Sequence, residues 1–216
     1  MFEKQKKEIL NCAHYLDKYQ LIALSGGNLS LRVDDYVITT PSGMIYKEMD
    51  YNDLVVVDMN GAIIEGERRP SVDLEAILYI FNNMPNVNAI IHTHQPYANA
   101  IGLISDSFPC TLTTLANAAK GSVAVAPYTS AATEDMGVKA VAYLGDKKGV
   151  ILKHHGFIGV GSTIKEALYA CVYTEEAAKS YIAALSTKLD IAMLNDNQIE
   201  ESVRVFDNYG QVKKDW

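Results

Sequence analysis

Two apolar, strand-like runs of this chain end in histidines. Ile90 and Ile91 lead into His92-Thr93-His94, and residues 149–153 lead into His154-His155. Side chains at positions i and i+2 of a strand point to the same side, so His92 and His94 can direct both imidazoles at one point. One histidine of the second pair would add a third ligand. Three histidines with one open position are typical of a catalytic zinc.

The second histidine pair leaves a choice open. Neighbouring residues of a strand face opposite sides, so only one of His154 and His155 is expected to reach the ion. The sequence pattern alone does not select between them. The competing interpretation of all four histidines is two unrelated polar pairs near strand ends.

Length, charge and cysteine usage limit the class of protein. The 216 residues are enough for one domain, 1–216, and the net charge of −7 gives no electrostatic footprint for nucleic acid. Three cysteines without a C-x-x-C motif favour free thiols in a reducing compartment. We find neither a signal peptide nor an apolar run of about 18 residues, which predicts a cytoplasmic protein without a membrane span.

Helical and strand patterns alternate along the chain. An apolar stripe at helical spacing follows Pro70, a capping box at residues 163–166 opens a long helix, and residues 196–209 predict a last helix. Asn60-Gly61 between two strand-like runs predicts a two-residue hairpin. The pattern therefore predicts one α/β domain whose sheet is mixed or antiparallel.

Three short segments rich in glycine, serine and asparagine are candidates for binding a phosphate. They are Ser25-Gly26-Gly27-Asn28, Pro41-Ser42-Gly43 and Pro70-Ser71. Their backbone N–H groups and hydroxyls can form an anion nest, and Ser71 lies where a helix begins. The competing interpretation is a set of ordinary turns and an N-cap. The glycine-rich nucleotide-binding motifs are absent from the sequence.

One acidic residue and one tyrosine have two interpretations each. Asp73 is expected in the first turn of the helix after Pro70, either as a carboxylate favoured by the helix dipole or as a general acid/base near the metal. Its rival Glu75 lies beside the apolar stripe and points elsewhere. Tyr209, near the C-terminus, is by itself a packing or surface residue.

Five segments together resemble the class II aldolase and adducin family. They are Gly26-Gly27-Asn28-Leu29-Ser30, Thr40-Pro41-Ser42-Gly43, Pro70-Ser71-Val72-Asp73, His92-Thr93-His94 and His154-His155-Gly156. Their order and spacing are similar to the family along essentially the whole chain. The resemblance implies a three-layer α/β/α sandwich around a mixed, mostly antiparallel central sheet. It also implies a homotetramer with active sites at the subunit interfaces.

The resemblance also implies roles for particular residues. His92, His94 and His155 would bind Zn²⁺ or another divalent transition metal. Asp73 would be the acid/base group, and Tyr209 would reach a neighbouring subunit's site and donate a proton. The implied phosphate pocket consists of Ser25, Gly27, Asn28, Ser42, Gly43 and Ser71.

The reaction implied is cleavage of a ketose 1-phosphate, L-fuculose 1-phosphate first, as in fucose degradation. The products would be dihydroxyacetone phosphate and lactaldehyde, formed through an enediolate whose charge zinc stabilises. Alternatives are an L-ribulose-5-phosphate 4-epimerase or another lyase of the family, and a non-catalytic adducin-like scaffold. Asp73 and Thr113 stand where fuculose-specific members carry glutamate and tyrosine, and aspartate is a feature of the epimerase branch. The absence of a histidine after His155 favours an aldolase.

Overall fold

A computed structural model of the protein describes residues 1–207. Its strands are β1 Asn28–Val33, β2 Tyr36–Thr39, β3 Val55–Asp58, β4 Ile63–Glu65, β5 Ala89–Thr93, β6 Ser107–Phe108, β7 Val123–Ala126, β8 Gly149–Leu152 and β9 Gly156–Gly161. Its helices are α1 Glu3–Lys18, α2 Leu74–Asn83, α3 Pro96–Ile104, α4 Thr113–Ala119, α5 Glu134–Leu144, α6 Ile164–Leu185 and α7 Asp196–Asp207. A short 3₁₀ turn spans Tyr46–Glu48.

The strands form one nine-stranded sheet in the order β4-β3-β2-β1-β5-β9-β8-β7-β6. All neighbouring pairs are antiparallel except β7 and β8, which are parallel. The prediction of a mixed, mostly antiparallel sheet is confirmed.

The two faces of the sheet are covered by different helices. Alternate strand residues face opposite sides, so Ile91 joins the core beneath α1, α3, α4 and α6, whereas Ile90 joins the core beneath α2 and α5. Both cores consist of aliphatic and aromatic side chains that are almost completely buried. The predicted three-layer α/β/α sandwich is confirmed. None of the described helices has the length and apolar character needed to span a membrane.

Local signals explain the helix starts better than they explain the hairpin. Pro96 occupies the first turn of α3, and the Thr163 hydroxyl accepts a hydrogen bond from Glu166 N at 3.2 Å at the start of α6. The β3–β4 hairpin is present, but four residues, 59–62, connect its strands. The prediction of a two-residue loop is therefore wrong. The Asp58 carboxylate accepts from two backbone N–H groups of the loop and stabilises this wider turn.

Strand pairing brings the sequence motifs together at one edge of the sheet, where the ends of the central strands β1, β5 and β9 lie side by side. Asn28 at the start of β1 lies opposite His92 near the end of β5. His92 in turn lies opposite Ile158, two residues after β9 begins at Gly156. The first histidine cluster, the first glycine-rich segment and the second histidine pair therefore meet at the same edge.

Candidate metal centre

Three histidines converge at this edge. His92 and His94 lie at the end of β5, and His155 lies in the turn between β8 and β9. The Nε2 atom of His92 is 3.2 Å from that of His94 and 3.3 Å from that of His155. Two nitrogens bound to one tetrahedral zinc at about 2.0–2.1 Å lie about 3.3 Å apart. The spacing of the rings therefore fits one shared cation.

Backbone geometry selects His155 from the second histidine pair. Strand β8 ends at Leu152, so His154 and His155 lie beyond it and strand alternation does not decide which ring reaches the ion. His154 adopts a left-handed conformation with φ +61°, and its exposed ring contacts Tyr128. A turn closed by the bond from His155 N to Leu152 O at 3.0 Å then directs the next side chain towards His92.

All three imidazoles are held in the neutral form that binds metal. Burial and, to a smaller extent, the neighbouring imidazoles of His155 and His94 lower the pKa of His92 from 6.5 to about 3. Burial is also the main cause that lowers the pKa of His94 and of His155. The His92 Nδ1 atom lies 3.0 Å from the carbonyl oxygen of Phe157. A proton on Nδ1, donated to this carbonyl, leaves the Nε2 lone pair for a metal.

Two glycines allow the backbone to approach the histidines closely. Gly27 has φ +83°, and a Cβ atom there would clash with the His92 carbonyl oxygen. A Cβ atom at Gly156 would clash with the Thr93 carbonyl oxygen and lie 2.8 Å from His92 Cε1. These positions require glycine because a backbone segment passes directly over the ligand strand.

Asp73 lies at the N-cap of α2 rather than in its first turn, and its side chain makes no capping hydrogen bond. It is 6% exposed, and its carboxylate accepts from Asn28 Nδ2 at 2.8 Å and from Ala132 N at 3.1 Å. The negative charge of Asp73 favours protonation of His94 and His155, opposite to the effect of burial. The carboxylate therefore belongs to the histidine site rather than to a simple helix cap.

Backbone hydrogen bonds join two of the three predicted phosphate-binding segments. Ser42 N donates to Arg69 O at 2.9 Å, and Ser71 N donates to Thr40 O at 3.1 Å. A bridge between Pro41 and Pro70 lies between these two bonds. The segments therefore run side by side at the edge that holds Asp73.

Tyr46 connects the remaining segment to this pair. Its hydroxyl donates to Gly27 O at 2.8 Å, and its backbone N donates to Leu24 O at 3.4 Å. Gly43, three residues earlier, is exposed, has φ +71° and faces open space. Ser25 is partly exposed in the loop that Tyr46 fastens. The phosphate-binding role of these segments stays a prediction.

The sequence patterns missed four groups that hold the site together. They are the Tyr46 hydroxyl, the backbone N of Ala132, the Asn99 amide and the Glu175 carboxylate. Glu175 carried a detectable signal, because it is a charged residue one helical turn after Cys171 on the apolar stripe of α6. The other three lie in loops or on a short helix, where spacing carries no signal. Tyr209 lies outside the described residues.

Comparison with known proteins agrees with this arrangement. Residues 7–182 match the sequence profile of a family described as the class II aldolase and adducin N-terminal domain. A 5-deoxy-D-ribulose 1-phosphate aldolase of Bacillus thuringiensis is 30% identical over 98% of the chain and 99% of the relative. An L-fuculose phosphate aldolase of Escherichia coli is 26% identical over 96% of each. A solved structure of an L-fuculose 1-phosphate aldolase superposes with a TM-score of 0.89 at 28% identity, covering 95% of this chain and 97% of that one.

Proposed function

The chain belongs to the class II aldolase and adducin family and is a lyase of the aldolase type, and we propose that it cleaves a ketose 1-phosphate to dihydroxyacetone phosphate and a small aldehyde. One observation carries the proposal. His92, His94 and His155 present ligand atoms within 4.8 Å of one another, beside a buried carboxylate. A scaffold without activity needs neither feature.

We propose that the three histidines bind Zn²⁺ or another divalent transition metal. When bound, such a cation supplies a Lewis acid that stabilises the negative charge developing on substrate oxygens. The lowered pKa values of the three imidazoles favour their neutral, metal-binding form at neutral pH. The three ligands leave one position of a tetrahedral zinc for substrate.

Asp73 is the proposed acid/base group. Hydrogen bonds from Asn28 and Ala132 reach both carboxylate oxygens, so the group is fixed in orientation while its other lone pairs remain free to accept a proton. In the same proposal, Tyr209 of a neighbouring subunit donates a proton on the aldehyde side. The protein is then a cytoplasmic homotetramer with active sites at the subunit interfaces.

The proposed phosphate pocket lies around the joined loops. It comprises Ser25, Gly27, Asn28, Ser42, Gly43 and Ser71. The Asn28 amide uses one of its two N–H groups on Asp73, which leaves the other for a phosphate oxygen. Anchoring the phosphate beside Asp73 holds the reacting carbon in one place relative to the histidines.

The names of two relatives supply candidate substrates. Their names specify 5-deoxy-D-ribulose 1-phosphate and L-fuculose phosphate, which share the phosphate and differ at the aldehyde end. We propose that this chain acts on one of these, with L-fuculose 1-phosphate as the first candidate. A second reaction, epimerisation of L-ribulose 5-phosphate, is favoured by one observation, the aspartate at position 73.

A coupled assay for dihydroxyacetone phosphate, run on both ketose 1-phosphates with the zinc-loaded protein, tests the proposal. A parallel assay follows epimerisation of L-ribulose 5-phosphate. His155→Ala should abolish metal binding and cleavage, whereas His154→Ala, one residue away and exposed, should retain both. Release of no dihydroxyacetone phosphate from either substrate would contradict the proposal, and epimerisation without cleavage would establish the second reaction.

A further inference from the structure

The first turn of α3 is held by a carboxylate from another helix. The helix begins two residues after His94, and its N-cap Gln95 makes no side-chain capping bond. Glu175, in α6, accepts from Tyr97 N and from Ala98 N, one bond to each oxygen and both 3.0 Å long. Proline at position 96 has no N–H, and Asn99 N makes the first intrahelical bond to Gln95 O. The first-turn donors are thereby all satisfied.

The same face of α6 also contacts the end of β5, the strand that carries His92 and leads into His94. Cys171 lies one helical turn before Glu175, so the two side chains lie on one face. The Cys171 carbonyl oxygen accepts from Gln95 Nε2 at 3.3 Å, and its thiol contacts Ile91 O at 3.9 Å. Cys171 therefore contacts the residue immediately before His92, through the carbonyl of Ile91, and the residue immediately after His94, through the side chain of Gln95.

Helix α3 extends this support to the third histidine. The Asn99 amide Nδ2 donates to the His155 carbonyl oxygen at 3.4 Å. Gly102, one turn further, packs so closely on β8 that a Cβ atom would lie 2.9 Å from Ile151. The position of α3 is thus linked both to the end of the His92–His94 segment and to the turn that carries His155.

We propose that Glu175 is a positioning residue of the histidine site, which it holds in metal-binding geometry through the first turn of α3. The proposal rests on the metal role of the three histidines stated above. None of the described hydrogen bonds joins Glu175 to the three histidines, and Glu175 is 1% exposed. A buried carboxylate is costly unless it is hydrogen-bonded, and here two backbone N–H groups and the positive end of a helix dipole stabilise it.

Glutamine at this position is the informative substitution. Glu175→Gln keeps the shape of the side chain but replaces one acceptor oxygen by an N–H₂ donor, which then faces a backbone N–H. One first-turn donor loses its partner, and the start of α3 must shift. Glu176→Gln is the matched control. The Glu176 carboxylate is exposed, and in the described hydrogen bonds and ion pairs it contacts only Lys179.

The experiment measures metal affinity without substrate. Zinc affinity of the full-length protein is determined by competition with a chromophoric chelator, and the visible absorption of the Co²⁺-loaded protein reports ligand geometry. We expect Glu175→Gln to weaken zinc about 10–100-fold and to change the Co²⁺ spectrum, as losses of groups that orient metal ligands do. Glu176→Gln should match the parent in both measurements.

Asn99→Ala provides a second variant, which removes the hydrogen bond between α3 and the backbone of His155. Its Oδ1 atom is buried without a hydrogen-bond partner among the described residues, so truncation should cost little stability. We expect weaker zinc binding here too, with an unfolding temperature of the metal-free protein near that of the parent. A Glu175→Gln protein that unfolds at a lower temperature but binds zinc with parental affinity would show a purely structural role and overturn the proposal.

Should Glu175→Gln fail to fold, Asn99→Ala decides, and parental zinc affinity and Co²⁺ spectrum in that variant overturn the proposal. Failure of the proposed reaction is distinguishable. A parent protein that binds zinc and cleaves neither ketose 1-phosphate contradicts the reaction, while the affinity ratio between Glu175→Gln and Glu176→Gln still decides the positioning role.

Discussion

Gly156→Ala adds a single methyl group, which should displace the imidazoles of the histidine site. Gly156 begins β9, and the added Cβ atom would clash with the Thr93 carbonyl oxygen. It would also lie 2.8 Å from His92 Cε1 and 3.0 Å from His94 Cδ2. Its backbone conformation lies outside the left-handed region, so the effect is steric.

The size of the effect follows from these contacts. Carbon atoms in contact lie about 3.5–4.0 Å apart, so the His92 ring must retreat by roughly 0.7 Å or more. Metal–ligand distances tolerate only about 0.2 Å. We therefore expect zinc affinity to fall at least about 10-fold, which is about 1.4 kcal/mol of binding free energy. Overpacking of this kind also lowers the free energy of unfolding by about 1–3 kcal/mol.

The assay is chelator competition for zinc, paired with thermal unfolding of the metal-free protein. A loss of about 1–3 kcal/mol should lower the unfolding temperature by about 2–12 °C in a chain of this length. Gly161→Ala is the control, because it lies at the other end of β9 and its Cβ atom would lie 2.6 Å from Glu166 Cβ. It should lose comparable stability but keep its zinc affinity. Parental zinc affinity in Gly156→Ala would refute the reasoning.

Three further predictions follow from the site and the core. Asp73→Asn should retain zinc but lower kcat about 10²–10⁴-fold, measured by dihydroxyacetone phosphate release, and parental kcat would remove Asp73 from the mechanism. Burial raises the pKa of Cys12 to about 12 and raises those of Cys110 and Cys171 as well, so a thiol reagent should label the native protein far more slowly than the unfolded chain. Rapid labelling of the native protein would contradict that burial. The His92 pKa of about 3 lies below the ordinary 6.5 of the unfolded chain, so the unfolded state takes up the proton first and the metal-free protein should lose up to about 1.4 kcal/mol of stability per pH unit between pH 6.5 and 3. Denaturant unfolding in stepped buffers checks this, and a flat profile would contradict it.

The fold was largely predictable because its signals are periodic. The apolar stripe of α2 repeats at helical spacing, and the capping residue Thr163 marks the start of α6, so a short sequence window reveals both. The family resemblance supplied what periodicity does not, namely the three-layer arrangement around a mixed, mostly antiparallel sheet. The loop between β3 and β4 was predicted too short because the Asp58 carboxylate stabilises a wider turn, an interaction that the Asn60-Gly61 pair does not encode.

The site was predictable where a residue type alone carries the chemistry. The histidines are visible in the sequence, but the selection of His155 depends on a left-handed residue at position 154, which strand alternation does not anticipate. The contacts of Asp73 with Asn28 and Ala132 join residues 45 and 59 positions apart. Such long-range contacts appear only when the chain is folded.

Zinc titration of the metal-free protein is the measurement that bears most directly on the metal role of the three histidines. Cleavage of the preferred ketose 1-phosphate should be absent at first, rise in proportion to added zinc and saturate at about one equivalent per chain, in line with one three-histidine site. His92→Ala should give no rise. Full activity after exhaustive chelation, or an unchanged rise in His92→Ala, would contradict the account.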